Sequence, residues 1–306
     1  MTEPFFTSTA QLRSHVRLSA QIPWESFQCY VDDAVETYLK RYLSQEIIDL
    51  LEPNEEFMRL ARRAIAPLAV ALSMDEMAVL VGDSGITVQH EKDKRSVASD
   101  KKIEKARSGL LERGLAALSD LLEFVLSLEG LDLSSCRRLE ESRGLLVPSL
   151  DAFERYASLG HSHVAYLETV PILRNLQQQL EDELTEAVFS MLMTPPAETD
   201  EAQGRVLEHL KDKCEKWTVL SAAALLAGHT TREERMAPMY SVTEWKALVR
   251  PVFQDREDSG NWYARMAEST LLSIRNIMDE NASLLHLAPK ETSVEYRGKG
   301  KRIFSI

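Results

Sequence analysis

The histidine pair in HSH, residues 161–163, is the first place where residue types could do chemistry. Alternating histidines reach one metal ion only from an extended or turn backbone, because positions i and i+2 diverge on a helix. Glu168, in the segment that follows, could add an oxygen ligand. The other histidines have no metal-ligand spacing with this pair. The motif therefore fits helix capping or a surface role better than a metal site.

Signatures of catalysis and of phosphate binding are weak. A nucleophilic serine or cysteine needs an oriented base, and the sequence has no GxSxG and no cysteine in a recognised catalytic context. GDSG at 82–85 lacks the Gly-Lys-Ser/Thr that completes a phosphate-binding loop, so it indicates a turn. The carboxylates of QQQLEDELTEAV, 177–188, suit the solvated face of a helix. We predict a protein that is not an enzyme and that uses no metal and no cofactor.

Composition limits the cellular setting. The chain has 306 residues, 44% of them hydrophobic, and a net charge of −12 that opposes nonspecific attraction to nucleic acid. Cys29, Cys136 and Cys214 are far apart, which favours free thiols in a reducing compartment. The N-terminus lacks a secretory pattern, and the most apolar stretch, 65–81, is short and contains two adjacent acids. These features predict a soluble protein made without export, with no membrane contact.

The elements that must position any site are helices. Apolar residues recur at three- and four-residue steps in 105–130, between a cap at Asp100 and a stop at Gly130. Comparable helices are predicted at about 25–51, 54–80, 161–193, 200–228 and 260–285. Strand patterns are short: 86–89, 239–242 and the C-terminal tail. The predicted fold class is mainly α, with small β excursions.

The helices indicate an internal duplication. AIAPLAVAL at 64–72 lies 155 residues before VLSAAALLA at 219–227, and the helix after each aligns at nearly the same offset. Amphipathic helices can also be slid into register by chance. We predict two related helical units, 1–130 and 148–286, joined by a connection at 131–147 and followed by an extended tail at 287–306.

The long polar segment 81–100 lies between two strongly helical segments. Loops of this length in compact domains are usually functional or disordered. Ile86 and Val88 alternate with polar residues, which favours a small hairpin over a solvated loop. We predict that Ile86 and Val88 contact a neighbouring subunit or another partner.

The tail SVEYRGKGKRIFSI, 293–306, has the composition of a docking segment. Four basic residues and one acid give it +3, so the rest of the chain carries −15 and attracts it. Its glycines permit an extended path, and β-augmentation of a neighbour's sheet edge would satisfy its backbone. Folding back on its own domain is the alternative. The predicted partner-binding residues are Val294, Tyr296, Arg297, Lys299, Lys301, Arg302, Ile303 and Phe304.

Several segments together resemble an uncharacterised family of phage and prophage proteins from Bacteroidetes-type genomes. The segments are YVDDAVETYL, RRAIAPLAVAL, DSGITV and KARSGLLERGLAALSDLLEFV, with a looser echo in the second half. The resemblance implies a head-to-tail connector: a helical adaptor that forms a homo-oligomeric ring and contacts the portal protein and the proximal tail protein. It also implies a place in the virion neck, and in the host cytoplasm during assembly.

The acidic composition is compatible with a channel through which DNA passes without specific binding, because an acidic lining repels phosphates. Many cytosolic proteins are acidic too. The alternative is therefore a cytosolic helical adaptor or regulatory protein that binds a partner peptide. The assembly state separates the two, because a connector forms a closed ring.

Overall fold

The protein is mainly helical, as predicted. The computed structural model describes residues 5–18, 22–77, 79–82, 85–88, 100–196, 200–229 and 259–287. Its helices are α1 Thr9–Arg13, α2 Gln28–Ala34, α3 Gln45–Leu51, α4 Glu55–Met77, α5 Asp100–Ser127, α6 Arg137–Arg143, α7 Leu150–Glu154, α8 His163–Leu184, α9 Glu186–Met193, α10 Glu201–His229 and α11 Ser259–Glu280. Within these described residues, no helix combines the length and apolarity needed to span a bilayer.

Short elements complete the described chain. Trp24–Ser26 forms a 3-10 turn, and Val35–Leu39 forms a π-helical turn that continues α2. β1 Val79–Gly82 and β2 Gly85–Val88 form an antiparallel hairpin between α4 and α5. The predicted strand at 239–242 and the tail lie outside the described residues.

α4 and α5 form the first long helix pair. The Asn54 side chain starts α4, because its Oδ1 accepts from the amides of Glu56 and Phe57, both at 3.0 Å. α5 runs antiparallel to α4, since Arg63 lies 3.1 Å from Asp120 and Gly114 lies against Leu68. The small residues of α4 let the two backbones approach closely.

α10 and α11 form the second long helix pair. Here too an Ala-rich helix packs against the amphipathic helix that follows it in the chain. The predicted repeat aligns Ala64 with Val219 and Leu118 with Ile274, and all four side chains are buried. The division into two related units and their common origin stay predictions.

α8 lies between the two helix pairs and packs against both α5 and α10. α8 also binds the C-terminal end of segment 131–147, which was predicted as a connection. This segment contains α6. The Tyr166 hydroxyl donates to the Val147 carbonyl at 2.9 Å, and Gln177 accepts from the Leu146 amide at 2.7 Å. One continuous cluster of buried side chains runs from Phe5 to Leu285.

Two predicted helices are interrupted, and each break has a local cause. The helix expected over 25–51 ends after the π-helical turn, and α3 starts anew where Ser44 Oγ accepts from the Ile47 amide. The helix expected over 161–193 breaks at Thr185, whose φ of 75° is incompatible with a right-handed helix. Periodicity continues across both breaks, so it does not reveal them.

Candidate partner-binding surface

Of the ten residues predicted to bind partners, eight belong to the tail and lie outside the described residues. The other two, Ile86 and Val88, are on β2. The hairpin register pairs Val79 with Val88 and Val81 with Ile86. Residues opposite one another in an antiparallel pair belong to the same face, so four apolar positions share one face of the ribbon.

We define the basic end of the first helix pair as residues 100–107, the first two turns of α5. This stretch carries four lysines and arginines against two acids. Lys101, Lys102 and Lys105 are exposed there. None of these three lysines forms an ion pair with another residue in the part of the chain that the structure describes.

We define the acidic end as residues 45–56 and 123–132, at the opposite end of the same helix pair. These two stretches carry five and three carboxylates, with no lysine or arginine. The antiparallel register brings them together, because the last turns of α5 lie beside the first turns of α4. Glu46, Glu55, Glu123 and Glu129 are exposed there.

Large apolar side chains are exposed at two separate places. Leu50 and Leu126, at the acidic end, are 64% and 42% exposed. Trp262 and Leu272, on α11, are 51% and 59% exposed. The packing order α5, α8, α10, α11 places two helices between these sites. They are the exposed large apolar side chains of the described residues, and thus the places there where an apolar contact with a partner could form.

Glu168 is engaged in a buried tie between the N-terminal region and α8. Its Oε1 accepts from Arg41 Nε at 2.9 Å and from the Tyr42 hydroxyl at 2.8 Å, and its Oε2 accepts from Arg41 Nη2 at 2.5 Å. The Glu168 side chain is 1% exposed. A carboxylate held by three donors serves structure, so the hypothesis that Glu168 joins a histidine metal site is wrong.

The HSH motif forms the start of α8. Ser162 Oγ caps the helix by accepting from the Ala165 amide at 3.1 Å, and Ser119 Oγ accepts from the His163 amide at 2.7 Å. His161 adopts a φ of 57° and its Nδ1 lies 2.6 Å from Glu154 Oε2. The capping role predicted for this motif is confirmed. No group of three potential metal ligands occurs among the described residues.

Glu154 organises the loop before α8. Its Oε1 accepts from the amides of Leu159 and His161 at 2.8 and 2.9 Å. Burial acts to raise the pKa of Glu154, but these two backbone bonds and the adjacent His161 outweigh it, so the pKa lies below its ordinary value. The carboxylate is thus held in its charged form as a loop anchor.

The two residues that follow α7 bind side chains of α10, in the second helix pair. Arg155 Nη2 donates to Glu215 Oε2 at 2.6 Å, and the Tyr156 hydroxyl donates to Asp212 Oδ1 at 2.6 Å. Burial raises the pKa of Glu215 although Arg155 acts to lower it. Burial likewise raises the pKa of Tyr156, helped by its bond to Asp212. Both shifts have a structural cause and identify no catalytic acid or base.

Sequence reasoning missed these ties and the two charged ends. Arg41 and Glu168 are 127 positions apart, and no motif predicts such a pair. The charged ends have a readable signal, since 45–56 contains five acids and no basic residue. Recognising that this run meets 123–132 requires the antiparallel pairing of α4 with α5.

A family model described as a family of unknown function (DUF6712) matches residues 30–129. The match spans 100 of the 306 residues, or about a third of the chain. It begins within α2 and includes α3, α4, the hairpin and all of α5. The first helix pair is therefore the part of the molecule that is similar to this family. No curated protein and no solved structure matches the chain.

Proposed function

We propose that this chain is a structural subunit of a phage head-to-tail connector. In this role it forms a homo-oligomeric ring between the portal protein and the proximal tail protein. Support comes from the phage-family resemblance, whose first segments fall within the residues 30–129 that match the family of unknown function. That family carries no activity with it, so the role rests on the resemblance and on the surface of the molecule.

One observation carries the proposal: large apolar side chains are exposed at two places separated by α8 and α10. A subunit of a ring touches a neighbour on each of two sides, and a connector also touches the components above and below it. Leu50 and Leu126 serve one such contact, and Trp262 and Leu272 serve another. Burying these four side chains against neighbouring subunits would remove their apolar surface from water and so favour assembly.

The interior supports the same role. Buried ties such as Arg41 with Glu168 connect distant parts of the chain into one body. A rigid body suits a subunit that must keep its shape while a genome passes through the ring. The acidic net charge of −12 lets DNA pass without specific binding.

The test is the assembly state of the purified full-length chain. Native mass spectrometry and negative-stain electron microscopy should show closed rings with one defined number of copies. A chain that stays monomeric at protein concentrations up to about 100 μM contradicts the proposal. That concentration is about 100-fold above a micromolar dissociation constant. That result would favour the regulatory adaptor that binds a partner peptide.

A further inference from the structure

We propose that α6 and α8 together form a binding site for a phosphate dianion, either free phosphate or the phosphate of a small monoester. Three arginines, Arg137, Arg138 and Arg174, lie there around the single carboxylate of Glu141. The site uses none of the exposed apolar side chains that carry the connector proposal, so the two proposals can fail separately.

The packing of α6 against α8 brings the arginines together. Arg137 and Arg138 belong to α6, and Arg174 belongs to α8. Gln177, about one turn after Arg174 on α8, accepts from the amide of Leu146, just beyond α6, at 2.7 Å. The two elements are therefore tied by a backbone hydrogen bond close to the arginines, which holds the site in a fixed arrangement.

The arginines outnumber the acid that they surround. Arg137 Nε donates to Glu141 Oε1 at 2.8 Å, while Arg138 Nη1 and Arg174 Nη2 lie 3.8 and 3.6 Å from Oε2. Among the described residues, no other acid lies within ion-pair distance of these three arginines. The other two charged residues of α6 pair with each other. Three positive charges around one carboxylate leave two positive charges in excess.

Arg138 is the observation that points to a ligand. Its side chain is only 11% exposed, yet it donates no hydrogen bond to the part of the chain that the structure describes. A guanidinium has five N–H donors, and buried donors without an acceptor are unfavourable. Glu141 does not supply the acceptor, since it lies 3.8 Å away. Arg174 and Arg137, 51% and 90% exposed, leave the site open to solvent on one side.

The excess charge selects the kind of anion. A phosphate monoester carries about −1.5 to −2 at pH 7, which matches two unneutralised arginines. A carboxylate or a phosphodiester brings one negative charge and leaves half of the excess unmatched. Guanidinium groups also bind phosphate oxygens through paired hydrogen bonds. The chain as a whole carries −12 and repels anions, so any saturable binding must come from a local site such as this one.

Isothermal titration calorimetry on the full-length chain tests the site with three probes: inorganic phosphate, glycerol 3-phosphate and the monoanion dimethyl phosphate. The two dianions should bind saturably, with a dissociation constant below about 1 mM. Dimethyl phosphate should bind at least about tenfold more weakly, because it lacks the second charge. The tighter of the two dianions identifies the source of the phosphate. The proposal is wrong if neither dianion saturates the protein by about 10 mM, or if dimethyl phosphate binds as tightly as they do.

Arg174→Gln should weaken phosphate binding by about tenfold, since it removes a charged donor. Arg174→Lys keeps the charge but not the planar fork, so its loss should be smaller. Arg59→Gln is the matched control: Arg59 is 55% exposed, pairs with a carboxylate on its own helix, and lies on α4, outside the site. The control should bind phosphate like the wild type. Equal binding by a folded Arg174→Gln chain would overturn the site.

Glu141→Gln should change the affinity in the opposite direction. The hydrogen bond from Arg137 holds the pKa of Glu141 below its ordinary value, so the wild-type carboxylate repels an incoming anion at neutral pH. Removing this charge should tighten phosphate binding by about tenfold, which a purely structural ion-pair cluster would not do. Affinity equal to or below that of the wild type, in a chain whose thermal unfolding shows that it is folded, contradicts the proposal. None of these results depends on the assembly state, so failure of the site leaves the connector role as it stands.

Discussion

At the scale of single residues, Glu168 shows how a charge becomes structural. It is 1% exposed and accepts from Arg41 and Tyr42, which come from a distant part of the chain. Burying two charged groups costs desolvation free energy. Their mutual attraction and well-placed hydrogen bonds only roughly offset that cost. Removing one member takes away a buried charge partner, so the pair is sensitive to mutation.

Replacing Glu168 with alanine should destabilise the fold by about 3–5 kcal/mol, because it removes the buried carboxylate to which Arg41, 12% exposed, and Tyr42 donate. Chemical denaturation measures the free energy of unfolding. Glu201→Ala is the matched control, since the 3.7 Å pair of Glu201 with Arg205 is solvent-exposed and should contribute less than about 1 kcal/mol. Equal losses in the two variants would contradict the structural role of Glu168.

Glu154 should make stability depend on acid pH. Its folded-state pKa is below the ordinary value, because the backbone bonds from His161 and Leu159 outweigh burial. The unfolded chain therefore takes up the proton first. The stability that Glu154 contributes is present above about pH 4.3, the usual glutamate pKa, and is lost as the pH falls through the lower folded value.

Glu154→Gln tests this dependence. The wild type should exceed the variant in free energy of unfolding at neutral pH. The difference should shrink below about pH 4.3 as the wild-type carboxylate is protonated. Denaturation curves collected from neutral to acid pH give the comparison. A difference that stays constant over this range would show that the Glu154 carboxylate anchors nothing through its charge.

At the scale of elements, the close packing of α4 against α5 depends on one glycine. A Cβ at Gly114 would lie 2.6 Å from Leu68 Cγ and 2.7 Å from Leu68 Cδ2. Leu68 is fully buried, so it has little room to move. The close approach of the two helices therefore requires glycine at position 114.

Gly114→Ala should cost about 1–3 kcal/mol, the usual range for overpacking a core. Gly109 is the matched control on the same helix, because a Cβ there meets no atom within 4 Å. Gly109→Ala should instead stabilise α5 by up to about 1 kcal/mol through helix propensity. Thermal unfolding of both variants gives the comparison. A stabilised Gly114→Ala variant would show that Leu68 can move aside.

The helices themselves were largely predictable, because they are long and strongly periodic. The positions of α4, α5, α10 and α11 follow from apolar residues at three- and four-residue steps. The break at Thr185 was not predictable, since a φ of 75° is rare for a β-branched residue and no residue type at this position marks it. Tertiary ties between distant residues leave no local signal. Of the candidate surface, only the runs of like charge could be predicted from the sequence. That the runs 45–56 and 123–132 lie side by side depends on the packing of α4 against α5.

At the scale of the whole molecule, the charge distribution is uneven. The first helix pair is basic at one end and acidic at the other, while the tail is basic and the remaining chain carries −15. The proposed assembly should therefore weaken with salt, because exposed charges are screened.

Deleting residues 293–306 should leave the thermal transition of the helical core nearly unchanged, since the buried side chains of the described residues, from Phe5 to Leu285, already form one continuous cluster. Ring formation or binding to a neighbour should weaken. The effect should be largest at low salt, where the attraction of a +3 tail to an acidic surface is least screened. Light scattering of the truncated and full-length chains over a salt series measures it. A second variant, with glutamine at Arg297, Lys299, Lys301 and Arg302, keeps the apolar residues and isolates the charge. If this variant assembles like the wild type while the truncated chain does not, the tail docks through its apolar residues. If all three chains assemble equally well, the tail is not part of the interface.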